Sequence, residues 1–279
     1  MTPAFRRFLS NPKALIGLTI LVLVVLAALL APLLFPRNPW QMAGRPFLPP
    51  FQDAKFWLGT DMLGRDILSG LVYGAQVSLI VGMISTLVAL FVGVLFGALA
   101  GYYGGMIDEI LMRITEFFQT IPTFVFALVL VAILSPSVTS IIIAIGIVSW
   151  PPVARLVRSE FASLRSREFV KAAVTLGQSD RQIILTQILP NTLSPVIAMS
   201  SLMVASAILA EAAISFLGLG DPNMMSWGYM IGASRTVIRQ AWWMSFFPGF
   251  VILMVVIALN LVGDALNDVL NPRLARKGR

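Results

Sequence analysis

The sequence predicts an all-α integral membrane protein with six transmembrane helices and one long cytoplasmic loop that carries helices of its own. Three observations carry that prediction. Of the 279 residues, 58% are hydrophobic and only 12% are charged, about half the charged fraction of an ordinary soluble domain. Uncharged runs long enough to cross a bilayer recur along the chain. Between two of them, residues 159–190 form the one long polar interruption, and its second part has helical periodicity.

A basic start with Arg6, Arg7 and Lys13 precedes an uncharged run at 14–35. Its 22 residues, at about 1.5 Å each, suffice for a hydrocarbon core about 30 Å thick. Residues 1–13 therefore read as a cytoplasmic N-terminus and 14–35 as an anchor helix. A signal peptide is the rival, because Ala28-Leu-Leu-Ala31 imitates a cleavage region. Its apolar core would be too long, and no polar stretch precedes the small residues.

Residues 36–76 read as an external loop and an amphipathic helix, with Asp61 as the helix cap and Arg65 and Asp66 beside each other at its start. No charge appears from 67 to 107, so span two fits at 77–101. Gly93, Gly97 and Gly101 put small residues on one stripe of it, which suits close helix packing within the subunit. A short connection with Asp108, Glu109, Arg113 and Glu116 follows on the cytoplasmic side.

The uncharged stretch 117–154 is too long for one span, and Ser135-Pro136-Ser137 is its natural turn. Spans three and four are thus expected at 117–134 and 138–157, with Trp150-Pro151-Pro152 interrupting the latter. In the polar bracket at 166–190, Phe169, Ala172, Ala173 and Leu176 fall on one helical face. Ser166 is placed to cap the first turn and Gly177 to close the helix in a left-handed conformation. Ser179 and Gln182 have capping-box spacing for a second helix running towards Pro190. Two short helices with an exposed apolar face fit either a docking surface for another protein or a segment lying on lipid headgroups.

Span five is expected at 192–213. Glu211 is embedded in its apolar run, which makes it a candidate for the translocation pathway or a gate. The structural alternative places it near the external interface, paired or wetted. A Gly-, Trp- and Met-rich external loop at 218–245 follows, with Trp242 and Trp243 suited to an interfacial belt. Span six is expected at 246–262, closing a five-helix core over 77–267, and 268–279 is a basic cytoplasmic tail.

The formal net charge is +7. In this topology the cytoplasmic side holds fourteen of the 20 Lys and Arg residues, so the positive-inside bias accounts for most of the basicity without nucleic acid. The chain has no Cys and no His, which excludes disulfides, thiolate or imidazole metal sites, and Ser-His or Cys-His nucleophiles. None of the four lysines follows a glycine, so there is no Walker A loop. No metal site and no cofactor of the chain's own are expected, and any ATP and Mg belong to a partner.

Lys171-Ala172-Ala173, Gly177 and Leu189-Pro190 resemble the EAA loop of ABC-importer permeases. Lys171 stands where glutamate is typical, and Gln187 where isoleucine is usual. Gly59-Thr60-Asp61 with Gly64-Arg65-Asp66 resembles a signature of the C-type permease in the peptide, nickel and opine branch. Ala100-Gly-Tyr-Tyr-Gly-Gly105, the exit Ala154-Arg-Leu-Val-Arg158, Ser215-Phe-Leu-Gly-Leu-Gly220 and Asn260-Leu-Val-Gly-Asp264 extend the likeness over nearly the whole chain. At 222–228 relatives often carry more proline before Ser-Trp-Gly.

The resemblance implies a type I importer permease, similar to dipeptide and oligopeptide permeases, in a bacterial inner membrane. It would pair with a second, different permease, two ATPase subunits or domains and an extracytoplasmic solute-binding protein. Phe169, Lys171, Ala172, Ala173, Leu176, Gly177, Leu189 and Pro190 would then form the ATPase-coupling surface. No substrate residues carry over, since that branch also handles nickel chelates, opines and some sugars. A secondary transporter would need an internal repeat and midplane ion ligands. An intramembrane aspartyl protease would need a glycine where Leu261 stands and a second membrane aspartate beside Asp264, and a channel would show a filter loop or a ring-forming charged span.

Overall fold

The computed structural model describes Phe8 and residues 10–270. Most of the predicted tail at 268–279 and much of the predicted N-terminus at 1–13 lie outside those residues, as do six of the basic residues in the charge bias.

The anchor helix α1 (Pro12–Leu29) starts under an Asn11 cap, whose Oδ1 accepts from Lys13 N at 3.0 Å. It breaks at Leu30 and resumes as α2 (Ala31–Leu34). Residues 36–66 then fold into a compact cap without a helix. Ala43 N and Gly44 N donate to Gly64 O at 3.0 and 2.9 Å, and Phe47 N donates to Asp61 O at 3.0 Å. Thr60 is fully buried, donating to Arg45 O at 2.5 Å and accepting from Leu48 N at 2.9 Å. Gly59 and Gly64 hold φ of +80° and +74° with the carbonyls of Leu48 and Gly44 so close that a Cβ would collide with them, which only glycine avoids. The Gly59-to-Asp66 signature is therefore the fastening of this cap.

The cap of the next helix is Asp66, not Asp61. Its side chain accepts from Leu68 N and Ser69 N, whereas Asp61 closes its own turn by accepting from Leu63 N and Arg65 N. The expected amphipathic helix and span two are one continuous element, α3 (Ile67–Tyr103). Its 37 residues rise about 55 Å at 1.5 Å each, well beyond the hydrocarbon core.

Span three differs most from expectation. The supposed connection is the helix α4 (Gly105–Thr120), and α5 (Thr123–Leu134) meets it across an 84° bend at Ile121-Pro122. The 12 residues of α5 rise only about 18 Å, too little to cross alone. The Ser135–Ser137 turn stands as expected, and Ser137 caps α6 (Val138–Arg165). Pro151 and Pro152 lie inside α6 without interrupting it. Packing supplies the reason: α6 lies along the glycine stripe of α3, where a Cβ on Gly93, Gly97 or Gly101 would come within 2.5 Å of Val153 Cβ, Ala154 O or Arg158 O. Backbones that close hold their shape through many contacts, which offsets the two missing N–H donors.

The bracket contributes α7 (Glu168–Thr175). The chain then continues as one long helical element from Asp180, which ends where Gly218 leaves helical geometry at φ +89°. This element comprises α8 (Asp180–Gln182), a π-helical stretch at Ile183–Ile188, α9 (Leu189–Ile214) and a second wide turn at Ser215–Leu219, which kinks at Gly218. The expected second helix and span five are thus joined. The wider turn directly precedes Pro190, whose missing N–H removes one regular helical bond. The loop expected at 218–245 contains α10 (Trp227–Ser234), and the last span is α11 (Trp243–Leu270), longer at both ends than 246–262.

Among the described residues, five helices are long and apolar enough to cross a membrane, and the bent pair α4–α5 taken together makes a sixth crossing. Helix α11 packs between α1 and α9. Gly17 meets Ala258 O on one side and Gly263 meets Ser201 on the other.

Candidate functional site: the polar bracket and the buried glutamate

Helix α7 ends in a Schellman arrangement. Gln178 N donates to Ala173 O at 3.1 Å and Gly177 N donates to Val174 O at 2.9 Å, with Gly177 at φ +76°. Gly177 closes the helix as its sequence position indicates. Ser166 does not cap it: the N-cap is Arg167, which makes no side-chain cap bond, and Ser166 Oγ donates to Ser163 O. Ser179 does cap the next helix, accepting from Gln182 N at 3.4 Å.

The four residues expected on one apolar face divide between two surroundings. Ala173 is only 5% exposed and, with Val170, packs against Phe161, Ile183 and Ile188. Phe169 is 41% and Leu176 80% exposed, and Ala172 also faces outward. Val170 was missed by the sequence pattern, although Val170 and Ala173 are three apart and share a helical face. Leu189 packs half-buried against the same cluster, while Pro190 is exposed. Lys171 is exposed and pairs with Glu168 at 2.9 Å. Tyr102 on α3 donates to Asp180 Oδ1 at 2.8 Å, fixing the bracket to the long helix, and Arg165 lies over the Tyr102 ring at 5.7 Å. A bidentate Arg158–Asp108 pair, at 2.9 and 2.5 Å, ties α6 to α4 nearby. The bracket is a rigid platform that offers Phe169, Ala172 and Leu176 outward.

Glu211 sits elsewhere. It is 2% exposed inside the bundle. Ser226 Oγ and Ser215 Oγ donate to its Oε1 at 2.7 and 2.8 Å, and Ser78 Oγ donates to Oε2 at 3.3 Å. Trp227 N donates to Ser78 Oγ, and the Trp227 indole N–H donates to Leu71 O at 2.9 Å. One carboxylate thereby gathers α3, α9 and the start of α10. Three hydroxyl donors satisfy a buried acceptor, and this geometry describes a structural clasp within one subunit.

Residues 93–276 match the family model described as binding-protein-dependent transport system inner membrane component. The chain belongs to that family.

The permease also matches, over residues 2–50, the N-terminal transmembrane domain of oligopeptide transport permease C. It is 42% identical to the dipeptide transport system permease protein DppC of Alkalihalophilus pseudofirmus over 97% of this chain and 89% of that one. Identity is 39% to the di/tripeptide permease DppC of Pseudomonas aeruginosa, over 97% and 91%. To the oligopeptide permease OppC of Bacillus subtilis it is 36%, over 98% and 90%. A solved chain of the inward-facing MetNI methionine ABC transporter superposes with a TM-score of 0.61 at 16% identity, covering 74% of this permease and 98% of that chain. That likeness concerns the fold, which is the type I importer fold. The permease is thus a membrane-spanning subunit of an ABC importer rather than a catalytic subunit.

Proposed function

We propose that this permease imports peptides as one half of a heteromeric pathway, with both of its termini in the cytoplasm. One of two ATPase subunits docks on the bracket, a second permease completes the pathway, and an extracytoplasmic binding protein delivers the solute. The near-full-length likeness to permeases named for dipeptide and oligopeptide transport carries the substrate class. ATP and Mg are held by the ATPases, since no lysine of this chain follows a glycine. ATP binding closes the ATPases and moves α7, and the contacts of Val170, Ala173 and Tyr102 carry that motion into α3 and the long helix that continues into α9.

In proteoliposomes, the complex assembled with its second permease and ATPases should hydrolyse ATP severalfold faster when its binding protein carries a di- or oligopeptide. This permease alone should show no hydrolysis above background. Stimulation by a nickel chelate and by no peptide would overturn the substrate class, and sustained hydrolysis by the permease alone would overturn the division of labour.

Orientation has its own test. Asp53 and Asn223 are exposed on the side assigned outside, and Ser179 is exposed on the side assigned inside. Single cysteines at Asp53 and Asn223 should react with a membrane-impermeant thiol reagent in intact spheroplasts, and one at Ser179 should not. The reverse pattern contradicts the topology.

A further inference from the structure

A cleft of about 300 Å³ opens between the end of the anchor helix and the folded cap, lined in part by Phe35, Arg37, Asn38, Gln41, Lys55 and Ser69. Its height relative to the bilayer follows from the helix. From Pro12 to Leu34 the chain rises about 33 Å, one hydrocarbon thickness. Leu29, Leu30, Leu33 and Leu34 are exposed directly below, and Arg37, Asn38 and Lys55 are exposed above. The Tyr73 hydroxyl donates to Phe35 O at 2.9 Å and fixes this boundary to α3. Trp57, two residues along the cap from Lys55, is also exposed, as suits an aromatic side chain at headgroup level.

The cleft has unbalanced charge. Among the described residues neither Arg37 nor Lys55 takes part in an ion pair. The neighbouring Arg65, by contrast, is held by Asp61 at 3.9 Å and by the Trp40 ring at 4.6 Å. The one carboxylate lining the cleft is Asp66, and both its oxygens accept backbone N–H groups at the start of α3, at 3.2 and 3.1 Å. In the wall, Ser69 is 5% exposed and its Oγ has no hydrogen-bond partner. A buried hydroxyl without a partner marks a polar surface awaiting one. Two free cations on the external side also run against the charge bias that orients the chain.

We propose that this cleft binds the phosphodiester headgroup of an anionic phospholipid, with Arg37 and Lys55 on the phosphate and Asn38 and Gln41 on headgroup hydroxyls. The acyl chains lie along the exposed leucines of α1 and α2. The site rests on the topology proposed above only for its leaflet, which is the extracytoplasmic one; binding in detergent is independent of sidedness.

The test titrates the purified permease complex with phosphatidylglycerol and counts bound lipid by native mass spectrometry. The wild-type complex should retain phosphatidylglycerol in preference to phosphatidylethanolamine. Arg37→Gln/Lys55→Gln should weaken it about tenfold or more, and Lys55→Glu alone should weaken it further than Lys55→Gln. Arg235→Gln/Arg239→Gln, which removes two external cations elsewhere, should leave it unchanged. Glycerol 3-phosphate has the phosphate but no acyl chains and should not displace the lipid. Equal retention of phosphatidylglycerol by the wild type and the double variant would overturn the site. Displacement by glycerol 3-phosphate would show a free phosphate ester as the occupant and overturn the lipid assignment. Since the substituted side chains are exposed, assembly and basal ATP hydrolysis should be unchanged in every variant.

Discussion

Leu176→Asp is expected to abolish uptake while the permease still inserts and pairs with its sister subunit. Leu176 is 80% exposed at the end of α7, so in the isolated chain the new carboxylate stays in water at little cost. Pressed into an apolar cleft of an ATPase it would lose that water without a partner, at a cost of about 2 kcal/mol or more. Ala173→Asp is a different experiment. Ala173 is buried against Phe161 and Ile188, so aspartate there damages the platform itself and should lower the yield of folded permease. Gly177→Val should also impair coupling. Nothing lies within 4 Å of a Cβ at that position, so the penalty is purely the backbone strain of φ +76°, about 1–2 kcal/mol. Lys171→Glu loses one exposed pair with Glu168, which is worth little, and should be tolerated.

Glu211→Ala is expected to destabilise the permease by about 3 kcal/mol, because it removes a buried acceptor and strands its donors. Ser215, Ser226 and Ser78 all donate to that carboxylate. Ser226 also caps α10 through Tyr229 N, and Ser78 accepts from Trp227 N, so α10 loses its fastening. Ser226→Ala should cost about 1 kcal/mol, and the double variant should cost less than the sum, because the two groups bond each other. Glu211→Gln keeps an acceptor oxygen and should fall between. Thermal unfolding of the purified complex reads all four. An unchanged melting temperature with an altered peptide preference would assign Glu211 to the pathway and contradict the clasp.

How far these features can be read from the chain depends on how local their chemistry is. The membrane runs are visible as missing charge, the α3 stripe as glycines four apart, and the α7 terminus as one glycine after a helical pattern, because each is written in neighbouring residues. Asp61 and Asp66 both have the chemistry of a cap, and only the fold of residues 36–66 decides that Asp66 serves α3. Pro151 and Pro152 signal a break that the packing of α6 on α3 overrides. The bend at Ile121-Pro122 is hidden because α4 carries enough charge to look like a connection and α5 too little to look broken. Val170 and Ala173 turn inward because of Phe161 and Ile188, which lie on other elements. The partners of Glu211 are the extreme case: Ser78 is 133 residues away in the chain, and no spacing rule reaches it.

The most direct test of the bracket as the coupling surface is site-specific photo-crosslinking. A benzophenone amino acid at Leu176, in the assembled complex, should give a covalent adduct with the ATPase, and the same probe at Leu217, exposed on the far end of the long helix, should give none. An adduct of position 176 with lipid alone, in a complex that still takes up peptide, would contradict the account.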